Sequence, residues 1–262
     1  SALASDESSL DQLTPEPQLS FVSYAIQQVA ATLPSGFDLT IESEFSHTVG
    51  LGSSAAVTAS VVAVLAKYAG DELDSFALFE RALSVVHGVQ GRGSGTDLAA
   101  SVYGGLIAYT VEPREVMPLS GLPPISLFYC GYKTRTPDVL KIVERKANEF
   151  PDLYRQIYRL MNDTSEQAEQ AIQAQAWDQL GALMNIYQGL LDALGVSDHS
   201  LCDIIYTLRG CDNVWGAKIS GSGLGDCVIT LGRTSDLPQA LADKYEEIPV
   251  AISKKGTQCD VV

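Results

Sequence analysis

Basic charge is scarce in this sequence. Lys and Arg number 17 against 32 Asp and Glu, a formal net charge of −15. A chain of that sign repels polyanions at long range, which excludes general nucleic-acid binding. Any anionic ligand must be held by local devices: backbone amides, helix N-termini, a few placed cations or a metal. Paired cysteines are lacking too. Cys130, Cys202, Cys211, Cys227 and Cys259 are odd in number, widely spaced and without a CxxC pair. Reduced, mostly buried thiols in a cytoplasm are expected. His47, His87 and His199 are too scattered for a zinc site. Long hydrophobic runs are missing as well. The longest, Ala55 to Ala66, contains Thr58 and Ser60 and is too short to span a bilayer. The opening stretch from Ser1 to Gln12 is polar and acidic, unlike a signal peptide. No membrane partner is expected.

What is present is an ordinary globular composition: 262 residues, 46% apolar and 19% charged. That suffices for one large domain or two modest ones. Residues 1–17 read as a polar leader. Leu19 to Leu33 has helical spacing and stops at Pro34-Ser35-Gly36. Phe37, Leu39 and Ile41 alternate with Asp38, Thr40 and Glu42, the pattern of a half-buried strand. Ala55 to Tyr68 is so apolar all round that a buried helix is expected. Leu73 to His87 reads as an amphipathic helix capped near Asp74. A strand follows at Leu106 to Val111. Prolines 113, 118, 123 and 124, with three nearby glycines, then mark a composition shift. The boundary is placed there, giving domains 1–120 and 121–262. The second half reads as a strand at Ile125–Tyr129, helices over 137–150, 153–174 and 177–194, strands at Trp215–Ile219 and Cys227–Leu231, and a short helix over 238–246. Interleaved strands and helices predict an α/β or α+β class.

Three glycine-rich loops stand beside these elements. Gly50-Leu51-Gly52-Ser53-Ser54-Ala55-Ala56 opens the apolar helix. Glycines let successive amides point one way, and the helix start adds unpaired donors and partial positive charge. Two serine hydroxyls and small alanines complete a phosphate cradle that needs no lysine. The alternative is a helix cap with a flexible lead-in. The loop is not a P-loop, since no Gly-Lys-Ser/Thr follows. It matches the dinucleotide fingerprint G-x-G-x-x-A, but the strand before it alternates and the acidic pair Asp71-Glu72 sits at a helix end. An oxidoreductase is therefore the weakest rival. Gly91-Arg92-Gly93-Ser94-Gly95-Thr96-Asp97 presents one carboxylate, either a general base or a helix N-cap. In Ser220-Gly221-Ser222-Gly223-Leu224-Gly225, three glycines and two serines exceed what a hairpin turn needs.

Taken in order, the three loops resemble the GHMP kinase superfamily of small-molecule kinases. The segment 50–56 is similar to that family's ATP phosphate loop, and 216–223 to its third motif. Gly93-Ser94-Gly95-Thr96-Asp97 with Gly104-Gly105 is similar to the segment carrying the catalytic Asp in the mevalonate kinase branch, as are Leu180 to Asn185 and Leu190 to Ser197. The resemblance runs from about residue 37 to 232. It implies an α+β, two-domain GHMP kinase fold: an N-terminal ribosomal-protein-S5-like α/β domain and a C-terminal ferredoxin-like α+β domain. It implies ATP and Mg²⁺ as cofactors and a small acid, mevalonate, as acceptor. Asp97 would take the hydroxyl proton. Gly50, Leu51, Gly52, Ser53, Ser54 and Ala55 would hold the phosphates, with Ser220, Gly221, Ser222 and Gly223 closing over them. Ser54 would ligate the metal. Thr136, Lys133 and Gly95 would line the acceptor site, while solvated surface charge stays open for Lys133 and Arg135.

The sequence departs from that pattern in places. The family's first motif is absent, as though some tens of residues before Ser1 were missing. Ser46 stands where a proline is usual. The metal-binding glutamate would fall at Val86, with Glu80 nearby but out of register. Leu224 and Asp226 stand where glycines are commoner. Phosphomevalonate kinase and a non-catalytic GHMP-fold binding protein therefore stay open as alternatives, and so does a homodimer.

Overall fold

The computed structural model describes residues 4–13, 17–43, 52–234 and 237–260. Gly50 and Leu51 of the first loop, and Ser46 before it, lie outside the described residues. The chain forms two compact units. The first takes in Ser1–His47, Leu51–Pro118 and Ser253–Val262; the second includes Leu119–Ile252.

The first unit is built on α1 (Ser20–Val29), α2 (Ser53–Tyr68), α3 (Ser75–Gln90) and α4 (Thr96–Tyr103), followed by β1 (Leu106–Thr110) and β2 (Glu115–Leu119). Helix α2 packs against α1, α3 and α4. It can do so because Ala55, Ala59 and Ala66 keep its surface low where neighbours approach. Its outer side is not covered, since Val64 remains 40% exposed. The expectation of burial all round is corrected accordingly: composition reports apolarity, and neighbours decide which side is covered. Helix α3 starts where the Asp74 carboxylate accepts from the Ala77 amide at 2.8 Å, and it ends at Gly91, whose φ of 73° suits the left-handed cap. Gly88 lets α1 close in, because a Cβ there would lie 2.1 Å from the Tyr24 ring.

Residues 37–41 form no strand in the structure. Alternation marks which side chains want burial, but a strand also needs a neighbour to pair with, and no described strand pairs with this segment. The proline-rich stretch read as a boundary contains β2, which pairs with β1 in a two-stranded sheet. Pro118 is tolerated there because such a sheet consists of edges.

The second unit runs β3 (Ile125–Lys133), α5 (Thr136–Glu149), α6 (Pro151–Gln173), α7 (Trp177–Leu194), α8 (His199–Arg209), β4 (Val214–Ser220), β5 (Gly225–Gly232), α9 (Gln239–Ala242) and β6 (Glu246–Ile248). The sheet order is β4-β5-β3-β6, and each adjacent pair is antiparallel. Phe128 pairs with Val228, and Val228 with Ile219, so these side chains share a face. That face carries the larger core, with Leu201, Ile204, Ile205 and Leu208 of α8 packed on it. Helix α8 and strand β6 were not foreseen, and the helix expected over 238–246 shortens to α9.

The last described residues return to the first unit. The Gly105 amide donates to the Ser253 carbonyl at 2.7 Å, and the Thr257 amide to the Ser101 carbonyl at 2.9 Å. Two glycines permit the approach: a Cβ on Gly104 would meet the Gly256 nitrogen at 2.4 Å, and one on Gly256 the Val102 oxygen at 2.0 Å. A second domain reaching to residue 262 therefore differs from what is seen. A hydrogen-bonded strap of this kind leaves no composition signal.

Candidate active site

Gly52 turns the chain into α2 with φ 71°. The first intrahelical bond runs from the Ala56 amide to the Gly52 carbonyl at 3.0 Å, so the amides of Ser53, Ser54 and Ala55 precede it and have no helical acceptor. Gly52 itself brings no side-chain cap, and Ser54 is an exposed residue. The arrangement offers amides, hydroxyls and the positive pole of a sixteen-residue helix to an anion.

Asp97 lies beside this terminus. A Cβ on Gly52 would be 3.4 Å from the Asp97 Cβ and 3.9 Å from its Oδ2. Asp97 is not the cap of its own helix: Gly95, at φ 84°, holds that position, and Asp97 is in the first turn. The N-cap alternative is thereby set aside. Two helix starts meet here, with a carboxylate from one against the glycine entry of the other.

The second loop is pinned from several sides. The His87 Nε2 lies 2.9 Å from the Gly93 carbonyl, Ser94 and Thr96 hydroxyls are 3.0 Å apart, and the Tyr109 hydroxyl donates to the Ser94 carbonyl. Tyr109 stacks edge-on against the fully buried Phe79, with centroids 5.7 Å apart, so the core fixes its hydroxyl. Burial raises the Tyr109 pKa, the Arg114 charge opposing it. Gly95 is wedged: a Cβ would lie 3.1 Å from both Leu83 and the Tyr109 oxygen. Its observed surroundings are thus core side chains. Glu80 is held by two bonds from Arg114, at 2.9 and 2.7 Å. Val86 lies near Gly93, where a Cβ would meet it at 3.2 Å. Tyr109, the His87–Gly93 contact and the pairing of Glu80 with Arg114 escaped the sequence reading, because none belongs to a recognisable motif.

The third loop, with Lys133 and Thr136, belongs to the second unit. Gly221, Gly223 and Gly225 have φ of 101°, 81° and 108°, and Leu224 and Asp226 follow at 53° and 74°. Those last two positions are where glycine would be at ease, and a non-glycine residue there costs about 1–2 kcal/mol. The loop is held by the Leu224 amide donating to the Val196 carbonyl at 2.7 Å. The Ser222 and Thr136 hydroxyls stand 3.5 Å apart, and the Lys133 ammonium is 3.4 Å from Asp226 Oδ2. Ser220 ends β4 at the mouth of the same loop.

Family models for the GHMP kinase N-terminal domain and the GHMP kinase C-terminal domain match residues 20–105 and 168–249. The mevalonate kinase of Pyrococcus horikoshii is 33% identical over 232 residues, 85% of this chain and 69% of its own. That of Thermococcus sibiricus is 34% identical over 252 residues, 92% and 75%. The chain belongs to the GHMP kinase family. Its architecture is the two-domain fold of that family. The crystal structure of L. major mevalonate kinase in complex with R-mevalonate superposes with a TM-score of 0.69 at 23% identity, covering 87% of this chain and 71% of that one. Among the described residues no helix is long and apolar enough to cross a membrane, and no group of three or more His, Cys, Asp and Glu is arranged to hold a metal.

Proposed function

We propose that this GHMP kinase transfers the γ-phosphoryl group of ATP to the primary hydroxyl of mevalonate. The observation that carries the proposal is the Asp97 carboxyl lying against Gly52 at the start of α2. A base and an anion cradle on one surface are what phosphoryl transfer to an alcohol requires. The mevalonate kinases at about a third identity support the choice of acceptor. In this reading Gly52, Ser53, Ser54 and Ala55, with Gly50 and Leu51, hold the phosphates through main-chain amides. Ser220 to Gly223 serve the nucleotide, and Thr136, Lys133 and Gly95 the acceptor.

The residues suit a magnesium ion that arrives with the nucleotide. Glu80 is committed to Arg114 and position 86 is valine, so the chain supplies few ligands. Mg²⁺ commonly takes one or two protein ligands and completes its shell with phosphates and water. The Ser54 hydroxyl would hold it, and the bound ion would neutralise charge on the phosphates. Asp97 accepts the proton of the acceptor hydroxyl as the oxygen–phosphorus bond forms. The bond to the bridging oxygen breaks, and ADP leaves with its electron pair. The helix start stabilises charge on the phosphoryl oxygens in place.

Asp97→Asn should lower kcat by at least a hundredfold with little change in ATP affinity. Near-normal turnover in that variant would remove Asp97 from the role of base. A coupled assay with mevalonate and phosphomevalonate side by side separates the two acceptors. Titration with ATP and Mg²⁺ alongside it separates binding from turnover, the reading favoured by the apolar Val86. Buried, unpaired Cys130 and Cys227 support a cytoplasmic setting, and the net charge of −15 supports a partner list without nucleic acid.

A further inference from the structure

Three segments of the first unit converge behind the second glycine loop. Glu80 comes from α3, Tyr109 from β1, and Arg114 from the turn just before β2. The Arg114 Nη1 donates to both Glu80 oxygens, at 2.9 and 2.7 Å. Burial raises the Tyr109 pKa, and the Arg114 charge and a side-chain hydrogen bond from Arg114 oppose that rise. The Arg114 Nε is buried and has no hydrogen-bond partner among the described residues. Glu80 on one side and Tyr109 on the other therefore set the plane of the guanidinium. The Tyr109 hydroxyl in turn donates to the Ser94 carbonyl, just ahead of Gly95, Thr96 and Asp97.

Donor chemistry fixes the direction of this chain. A guanidinium only donates and a carbonyl only accepts. A hydroxyl between them accepts from Arg114 and gives its single proton to Ser94. The cation beside the phenol oxygen strengthens that donation, since hydrogen bonds in series polarise one another. Tyr109 has little freedom of its own: its ring packs edge-on against Phe79, and a Cβ on Gly95 would lie 3.1 Å from its oxygen. Stability alone is a weak account of the ion pair. The Arg114 and Glu80 side chains are 35% and 39% exposed, and pairs so open to water contribute little to a fold. We propose that Arg114 is a positioning residue: steadied by Glu80, it directs the Tyr109 hydroxyl at the Ser94 carbonyl and so holds the loop that leads into Asp97. This inference rests on Asp97 being the base, as proposed above.

The test compares Arg114→Met, Tyr109→Phe, their combination, and the reversed pair Glu80→Arg with Arg114→Glu. The reversed pair keeps two opposite charges together but puts a carboxylate beside Tyr109, which draws the phenol proton away from Ser94. Steady-state kinetics with ATP and mevalonate are read beside thermal unfolding. Hydrogen exchange is followed at the Ala99 amide, which donates to the Gly95 carbonyl at 2.8 Å. Arg114→Met should lower kcat about fivefold, with the KM for ATP steady and exchange at Ala99 faster. Adding Tyr109→Phe should change kcat little further. The reversed pair should regain the melting temperature lost in Arg114→Met while kcat stays low. Recovery of kcat together with the melting temperature makes the pair a brace for the fold and overturns the proposal. A normal kcat in Arg114→Met overturns it too, as does a combined variant whose loss is the full product of the single losses. Where the reversed pair fails to regain stability, the combined variant decides. Normal turnover in Asp97→Asn, or wild-type protein that ignores mevalonate, would instead overturn the base or the acceptor, and exchange at Ala99 then reads the tether on its own.

Discussion

At the scale of single residues, charge and burial set the chemistry. Asp97 was recognisable in the sequence as a carboxylate after glycines. The cap reading falls because Gly95 holds the N-cap position, and the proposed use as a base rests on the nearness to Gly52, a tertiary distance that local sequence does not carry. Lys218 shows a different case. Its ammonium donates to the Ile219 carbonyl at 2.6 Å and lies 5.6 Å from the centre of the Tyr187 ring, and loss of water lowers its pKa from 10.5 to about 8. Between those values the unfolded chain binds more protons than the folded one, so this group makes stability rise with pH. Lys218→Met should therefore raise the melting temperature near neutral pH. The gain should shrink as pH climbs through the window and vanish above it. Thermal unfolding of both proteins across that range is the check, and a pH-independent difference would count against the lowered Lys218 pKa.

At the scale of elements, the packing of α7 on β4 gives a physical reason for the Leu180–Asn185 segment that resembles the mevalonate kinase branch. Strand β4 is an edge of its sheet. Helix α7 closes that edge with its own amides: the Ala217 N–H donates to Asn185 Oδ1 at 3.1 Å, and the Ile219 N–H to Gln188 Oε1 at 2.9 Å. Covered edges do not template aggregation. Gly181 makes the approach possible, since a Cβ there would sit 2.5 Å from the Trp215 backbone. Gly181→Val should cost about 3 kcal/mol or more in urea unfolding, and Asn185→Ala about 1–3 kcal/mol through the orphaned Ala217 amide. In the first unit, Tyr109→Phe removes the hydroxyl that holds the Ser94 carbonyl. It should cut kcat several-fold while ATP affinity stays, because the loop ahead of Asp97 loosens and the α2 start does not. Steady-state kinetics with ATP varied will show whether the split appears. Helix α8 was legible in principle: Asp198 accepts from the Leu201 amide at 3.0 Å, and Leu201, Ile204, Ile205 and Leu208 have helical spacing. Strand β2 was not legible, because Pro118 within it and Pro113 just before it are residues that usually mark a break.

At the scale of the whole molecule, each unit has a main core of its own, and the last described residues return to the first unit. That return binds α4, the helix whose first turn carries Asp97. Gly256→Ala should therefore destabilise the first unit and lower activity, although residue 256 lies far from Asp97 in sequence. Hydrogen exchange at the Gly105 and Thr257 amides should accelerate in that variant; unchanged protection would show that the strap does not depend on the glycine contact.

The sequence alone determined the helices with strong apolar period and clear stops, the three glycine loops, and the acidic net charge. These depend on neighbours a few residues apart or on sums over the chain, which local chemistry sets. The tertiary structure alone decided that Asp97 meets Gly52, that Glu80 is taken by Arg114, that Asp226 backs Lys133, and that the C-terminal residues join the first unit. Each of those is a meeting of segments distant in the chain, set by which surfaces can be buried together and which glycines let backbones touch.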